Sequence, residues 1–397
     1  MITKKGIDKI IEAYKQGELL KASQVGKGFF KELPKKVQKI VEVANFLTGS
    51  IFSGNIKNVI DYTSHYDVIL AKYFFLEGDF EKYRDTVYKV LETTEDNFSK
   101  LYCLKEIKMF NGKDFSNLYP KYSGIEITTK RSEYLRKFLE NNYKGTVKDI
   151  SDFISEKSHI EILLDLADIW YYTEQYKELS ELCLSMYREG KINDYFLYLY
   201  SYSLFSSGRI PDAINILEKI VKKYPRNVNI VYNLAVSYYR NGNIEKAEEL
   251  IRICEKEKDA PEIHFAKGIF LYYLNKYDES KKEFLKTKEF EEFQFSSEYN
   301  ASICDYKMKN YEEAIARLVK LRNEKFVDRK NFEAIDRTIH FIKNKSRKTP
   351  YYILILLLFI LSIGLGITIY FILSFTGLRW IYGKSKNDVR FCLTRKK

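Results

Sequence analysis

DYFLYLYSYSLFSSGRIPDAINILEKIVKKYPRN, residues 194–227, and VNIVYNLAVSYYRNGNIEKAEELIRICEKEKDA, residues 228–260, are two successive copies of one pattern. Each opens on an aromatic-rich helical stretch and breaks at Ser207-Gly208-Arg209 or Asn241-Gly242-Asn243. Each then resumes as a second helix whose inward residues recur at helical spacing: Ala213, Leu217 and Ile220 in one, Ala247, Ile251 and Cys254 in the other. Glycine at the break supplies the left-handed backbone that ends a helix. Pro225 stops a second helix and Pro261 opens a new unit.

Working outward, second helices begin at Tyr176, Ile210, Ile244, Tyr277 and Tyr311, at spacings of 34, 34, 33 and 34 residues. Three residues after each come Leu179, Ala213, Ala247, Ser280 and Ala314. Nine before each stand Ala167, Ser201, Ala235, Gly268 and Ser302. That period predicts a stacked helix–turn–helix array of five units, 160–193, 194–227, 228–260, 261–294 and 295–328. Each unit packs only on its neighbours, so the core grows along one axis. Residues 1–159 follow the same grammar loosely. Gly17, Ala22, Phe29 and Pro34 copy the landmarks of the Gly208–Pro225 stretch, and turns fall at Gly78-Asp79-Phe80, Lys113-Asp114-Phe115 and Asn141-Asn142-Tyr143. Within 329–349 an amphipathic helix carrying Phe332, Ile335, Ile339 and Ile342 caps the array and leads into a basic linker.

These residues resemble the tetratricopeptide repeat (TPR) family, closely over 160–328 and weakly over 1–159. Ser201, Leu204, Gly208, Ala213, Leu217, Ile220 and Pro225 match its consensus, and Ala235, Tyr238, Gly242, Ala247 and Ile251 match it again. Leu179 in place of a small residue and Asp305 in place of a large one depart from it. The resemblance implies an all-α, TPR-like helix–turn–helix solenoid coiled as a right-handed superhelix. It also implies a concave groove, lined by the first helix of each unit, that holds peptide segments. Carried onto this chain, the groove residues are Tyr171, Phe205, Tyr239, Tyr272 and Tyr306 at one position, with Tyr198, Tyr232, Phe265 and Tyr299 at another and Tyr195 and Tyr202 completing the run. A tyrosine-lined groove suits an apolar or aromatic-rich protein segment, because tyrosine offers a large rigid face and a polar tip. The other reading is that these rings pack between neighbouring helices. Lysine is missing where a carboxylate clamp needs it, which excludes a chaperone-tail binder.

The net charge of +12 does not mark a nucleic-acid surface. Residues 343–349 carry +4, 376–397 carry +6 and the first 39 carry +6, which leaves 40–342 near −4. A nucleic-acid binder would instead spread basic residues along the array. Residues 351–375 hold no charge, and as a helix they extend roughly 37 Å, beyond a hydrocarbon core of about 30 Å. We therefore expect one C-terminal transmembrane helix over 350–375, flanked by Tyr351, Tyr352 and Trp380. MITKKGIDKIIEAYKQ has no apolar signal core, so the array is expected in the cytoplasm and the basic tail, 376–397, across the bilayer. Ser362 and Gly366 could bring two such helices close, so a homo-oligomer stays open.

No catalytic motif, cofactor or metal site is expected. Cys103, Cys183, Cys254, Cys304 and Cys392 form no CxxC pair, and His65, His159, His264 and His340 have no metal-ligand spacing. Tyr382-Gly383-Lys384-Ser385 resembles the end of a phosphate loop, but Leu378 stands where its glycine is required. The sequence thus points to a membrane-anchored scaffold or adaptor that binds protein partners. The alternatives are a self-assembling subunit of a membrane complex, or a tethered nucleic-acid binder.

Overall fold

The computed structural model describes residues 3–16, 18–156, 160–190 and 192–362. They form two compact units, 1–241 and 242–397. The first contains α1 (Lys4–Lys15), α2 (Leu19–Lys27), α3 (Lys35–Thr48), α4 (Ile56–Val59), α5 (His65–Glu77), α6 (Phe80–Thr93), α7 (Asn97–Phe110), α8 (Gly112–Tyr122), α9 (Lys130–Leu139), α10 (Tyr143–Glu156), α11 (Ile160–Tyr172), α12 (Tyr176–Arg188), α13 (Asp194–Ser206), α14 (Ile210–Lys223) and α15 (Val228–Arg240). The second contains α16 (Ile244–Glu257), α17 (Pro261–Tyr273), α18 (Tyr277–Lys286), α19 (Gln294–Lys307), α20 (Tyr311–Arg322) and α21 (Arg329–Ser362). The described fold is all-α, a TPR-like stack of helical pairs.

Each break between the paired helices is a single residue with positive φ: Glu174 at 59°, Gly208 at 79°, Gly242 at 84°, Asn275 at 60° and Lys309 at 68°. These residues keep the repeat spacing. Only two of the five are glycine, so the turn geometry belongs to the repeat, and Glu174 and Lys309 adopt it against the steric preference of a residue with a Cβ.

The inward positions of the second helices form the core as expected. Ala213, Leu217, Ile220, Ala247, Ile251 and Cys254 are all buried. Asp305, the departure from the repeat consensus, is fully buried and bound by Lys281 at 2.6 Å from α18 and by Arg317 at 3.3 Å from α20. A salt-bridged acid thus replaces a large apolar residue.

The N-terminal stretch differs from its expected register. Helix α2 ends at Lys27 and the chain tightens into a 3₁₀ turn over Phe30–Glu32, so Phe30 enters the core while Phe29 stays 43% exposed. Gly17 of that motif lies outside the described residues. Likewise α8 starts at Gly112, capped by the Asn111 side chain on Asp114 N–H, two residues before the expected turn. On α21, Ile335, Ile339 and Ile342 are buried but Phe332 is 41% exposed, with the Arg322 guanidinium over its ring.

Among the described residues no helix is long and apolar enough to cross a membrane. Helix α21 runs to Ser362. The rest of the expected span (363–375), the basic tail, His159 and Cys392 lie outside the described residues.

Candidate functional site

Within the first unit, α11, α13 and α15 begin where α1, α3 and α5 end, ten helices later. Asn193 and Asn227 make two of these junctions. Asn193 caps α13 by accepting from Phe196 N–H, and its Nδ2 donates to the Phe46 carbonyl near the end of α3 at 3.0 Å. Asn227 caps α15 through Ile230 N–H and donates to the Phe75 and Leu76 carbonyls of α5 at 2.7 and 2.9 Å. The side chain satisfies an orphan N–H of one helix and orphan carbonyls of another. Gly78, at a φ of 87°, lets this contact close, because a Cβ there would lie 3.1 Å from the Asn227 Cα. At the third junction the Tyr14 hydroxyl donates to Glu161.

The face enclosed by this return is charged. Lys72 on α5 and Lys105 on α7 are buried between Glu106 of α7 and Asp165 and Asp168 of α11. Lys105 Nζ lies 2.8 Å from Asp168 and 2.9 Å from Glu106, and Lys72 Nζ lies 3.1 Å from each of the same two acids. Arg131 of α9 holds Asp165 at 2.8 Å and Glu161 beside it. Tyr134 donates to Asp165 at 2.6 Å, Tyr195 of α13 to Asp168 at 2.8 Å, and Tyr83 to Glu106. Burial alone would depress the Lys72 and Lys105 ammonium groups, but Asp168 and Glu106 lift them above their ordinary value. Burial would likewise raise the Asp168 carboxyl, yet Lys105 and Lys72 hold it below the usual range. These charges satisfy one another, so the cluster joins helices rather than presenting a reactive group.

The expected groove residues divide by exposure. Tyr195 and Tyr198 are buried in the first unit, as are Phe265, Tyr272 and Tyr299 in the second. Tyr171, Tyr202, Phe205, Tyr232, Tyr239 and Tyr306 are partly exposed. Rings of Tyr171 and Tyr202 meet edge to face at 4.9 Å, Tyr176 joins at 5.6 Å, and the Arg240 guanidinium covers Phe205 at 5.8 Å. Tyr198 hydrogen-bonds Tyr171 beneath this run. In the second unit Tyr306 packs on Tyr311 and on Phe341 of α21, while Tyr299 shares a hydrogen bond with Thr338 at 2.8 Å. Helix α21 therefore lies against α19.

Two clusters escaped the sequence reading. The ion network joins residues up to 147 apart in sequence, with no local signature. Glu255, His264 and Glu283 of the second unit place a ligand atom each within 4.8 Å of one another, although their spacing fits no metal motif.

Residues 204–268 match the model of the tetratricopeptide repeat family. No curated protein sequence matches the chain. Among solved structures, the chain is similar to the yeast Tom70 crystal structure at 10% identity and a TM-score of 0.42, over 86% of this chain and 89% of that one. It is similar to the APC/C hetero-tetramer Cut9-Hcn1 at 10% identity and a TM-score of 0.36, over 87% and 84%. A third likeness is to the P58(IPK) TPR domain at 13% identity and a TM-score of 0.27, over 86% and 88%. The matched TPR segment runs from Leu204 through the Gly208 and Gly242 turns to Gly268.

Proposed function

We propose that this chain is a TPR scaffold that binds protein partners through the aromatic faces of its first helices and is held at a membrane by residues 350–375. The observation that carries the binding reading is the partly exposed run of Tyr171, Tyr202, Phe205, Tyr232 and Tyr239 on α11, α13 and α15. Such rings offer contact area at low entropic cost, and buried aromatic anchors dominate interface energies. Tyr195 and Tyr198 of the same run are buried, and Tyr198 hydrogen-bonds Tyr171. The occupant suited to this surface is an apolar or aromatic-rich segment of another protein.

Support for the anchor is the uncharged stretch 351–375 between two basic flanks. Cys103, Cys183, Cys254 and Cys304 are all buried, where cysteine packs as a small apolar residue. The test is affinity capture from native membranes with full-length protein and with the Tyr202→Ala/Tyr239→Ala double variant. Partners recovered by the wild type and lost by a folded variant support the reading. Equal recovery by both overturns it. Extraction of the protein by alkaline carbonate would remove the anchor from the proposal.

A further inference from the structure

Helices α16, α17 and α18 of the second unit converge on one point. Glu255 comes from the last turn of α16, His264 from the first turn of α17 and Glu283 from the last turn of α18. His264 and Glu283 are buried and Glu255 is partly so. His264 Nδ1 lies 2.7 Å from Glu283 Oε2 and 3.8 Å from Glu255 Oε1. On the far side of the ring, His264 Nε2 meets the Asp259 carboxylate of the loop between α16 and α17. A ring nitrogen facing two carboxylates, with the other nitrogen held by a third, is the arrangement of a metal-ligating histidine with its orienting carboxylate.

The same point already attracts positive charge. Lys267 Nζ sits 2.7 Å from Glu255 and 3.0 Å from Glu283, and Lys286 Nζ lies 3.0 Å from Glu283. Three carboxylates, Glu255, Glu283 and Asp259, thus surround His264, and two ammonium groups reach the first two of them. With Nε2 turned to Asp259, Nδ1 is the ring nitrogen that faces Glu283 and Glu255. The Lys267 side chain is long and flexible, and can leave the carboxylates to an incoming ion.

We propose that Glu255, His264 and Glu283 form a binding site for a divalent transition metal of the zinc type, with Asp259 orienting His264 and Lys267 competing with the ion. Imidazole with carboxylate oxygens suits such ions, and three protein ligands leave a position for water. The bound ion would tie three consecutive helices together at one end of the second unit.

The test titrates full-length protein with Zn²⁺ by calorimetry and with Co²⁺ by visible absorption. Wild type should bind one ion per chain, with a rise in melting temperature that grows with ion concentration. His264→Gln and Glu283→Gln should abolish binding. Asp259→Asn, whose side chain is 89% exposed and therefore cannot disturb the fold, should weaken it about tenfold or more. Lys267→Met should bind more tightly than wild type. The proposal is overturned if wild type shows no saturable binding, or if saturable binding is unchanged in Glu283→Gln and Asp259→Asn.

Discussion

Asn193 Nδ2 donates to the Phe46 carbonyl across 147 residues of sequence while Asn193 Oδ1 accepts from the third residue of its own helix. One carboxamide thus serves as N-cap and as tie between α13 and α3. Asn193→Asp keeps the cap but loses the donor and places a negative charge against the C-terminal carbonyls of α3. We expect it to lower stability by about 1–2 kcal/mol. Asn193→Ala loses both functions and should cost about 2–3 kcal/mol. Urea unfolding followed by circular dichroism measures both. An aspartate variant as stable as wild type would mean the tie contributes nothing.

Lys105 meets three acids at a site with no access to water. Removing one partner of a buried ion pair leaves charges that neither solvent nor neighbours compensate. Lys105→Met should therefore destabilise by about 3–5 kcal/mol. Lys282→Met, which breaks the exposed pair with Asp278, should leave the urea midpoint unchanged. Equal effects would contradict the burial of the network.

Acid sensitivity follows from Asp168. Its folded carboxyl is held below the ordinary value by Lys105 and Lys72 against the opposing effect of burial. Unfolded, it takes a proton near pH 4, about the value of a free aspartate. Its contribution is therefore complete above roughly pH 4 and is lost as the pH falls through the lower folded value. In Lys105→Met the depression is smaller, so less stability is lost to acid through Asp168 and the loss is complete at a higher pH. Unfolding midpoints measured from pH 6 down to pH 2 test the order of the two curves.

The repeat period, the second-helix core and the turns at Gly78, Gly208 and Gly242 were legible because they are local. A 34-residue spacing needs no knowledge of distant contacts. The second-helix starts at Tyr176, Tyr277 and Tyr311 followed from the period too, but the positive φ at Glu174 and Lys309 did not, since neither residue type signals it. Phe29 was read as the apolar landmark, but α2 ends at Lys27 and the 3₁₀ turn over Phe30–Glu32 brings Phe30 into the core instead. The ion network was invisible for a different reason. Lys72, Lys105 and Asp168 each read as an ordinary polar residue on a helix, and only the return of α11 and α13 onto α1 and α3 encloses them. That return joins helices ten apart in the chain, which no single unit encodes. Tyr195 and Tyr198 occupy the expected groove positions, but their burial depends on the same return.

Lys309 holds a φ of 68°, where Gly208 and Gly242 occupy the equivalent turn. A residue with a Cβ costs about 1–2 kcal/mol there, and glycine recovers part of this after its greater loss of freedom on folding. Lys309→Gly should therefore raise stability by about 0.5–1 kcal/mol, and Lys309→Val should lower it. Thermal unfolding of the three proteins decides the matter; a glycine variant less stable than wild type would mean the lysine side chain makes a compensating contact.

Gly268 and Phe284 are matched in volume across the α17–α18 pair. A Cβ on Gly268 would lie 2.8 Å from the Phe284 ring, inside any real contact distance. By repeat position, Ala167, Ser201 and Ser302 correspond to the glycine, and Cys183, Leu217 and Leu318 to the phenylalanine. The largest partner therefore faces the smallest residue. Gly268→Ala should destabilise by about 1–3 kcal/mol through overpacking, despite the better helix propensity of alanine. Phe284→Leu should destabilise by leaving a void beside glycine. The double variant sets a small residue against leucine, the combination at Ser201/Leu217 and Ser302/Leu318, so its cost should fall below the sum of the two single costs by more than about 0.5 kcal/mol. A double-mutant cycle on melting temperatures reads this directly. Strict additivity would mean that the two positions are not packed against each other and that the small-residue position is set by something other than the facing ring.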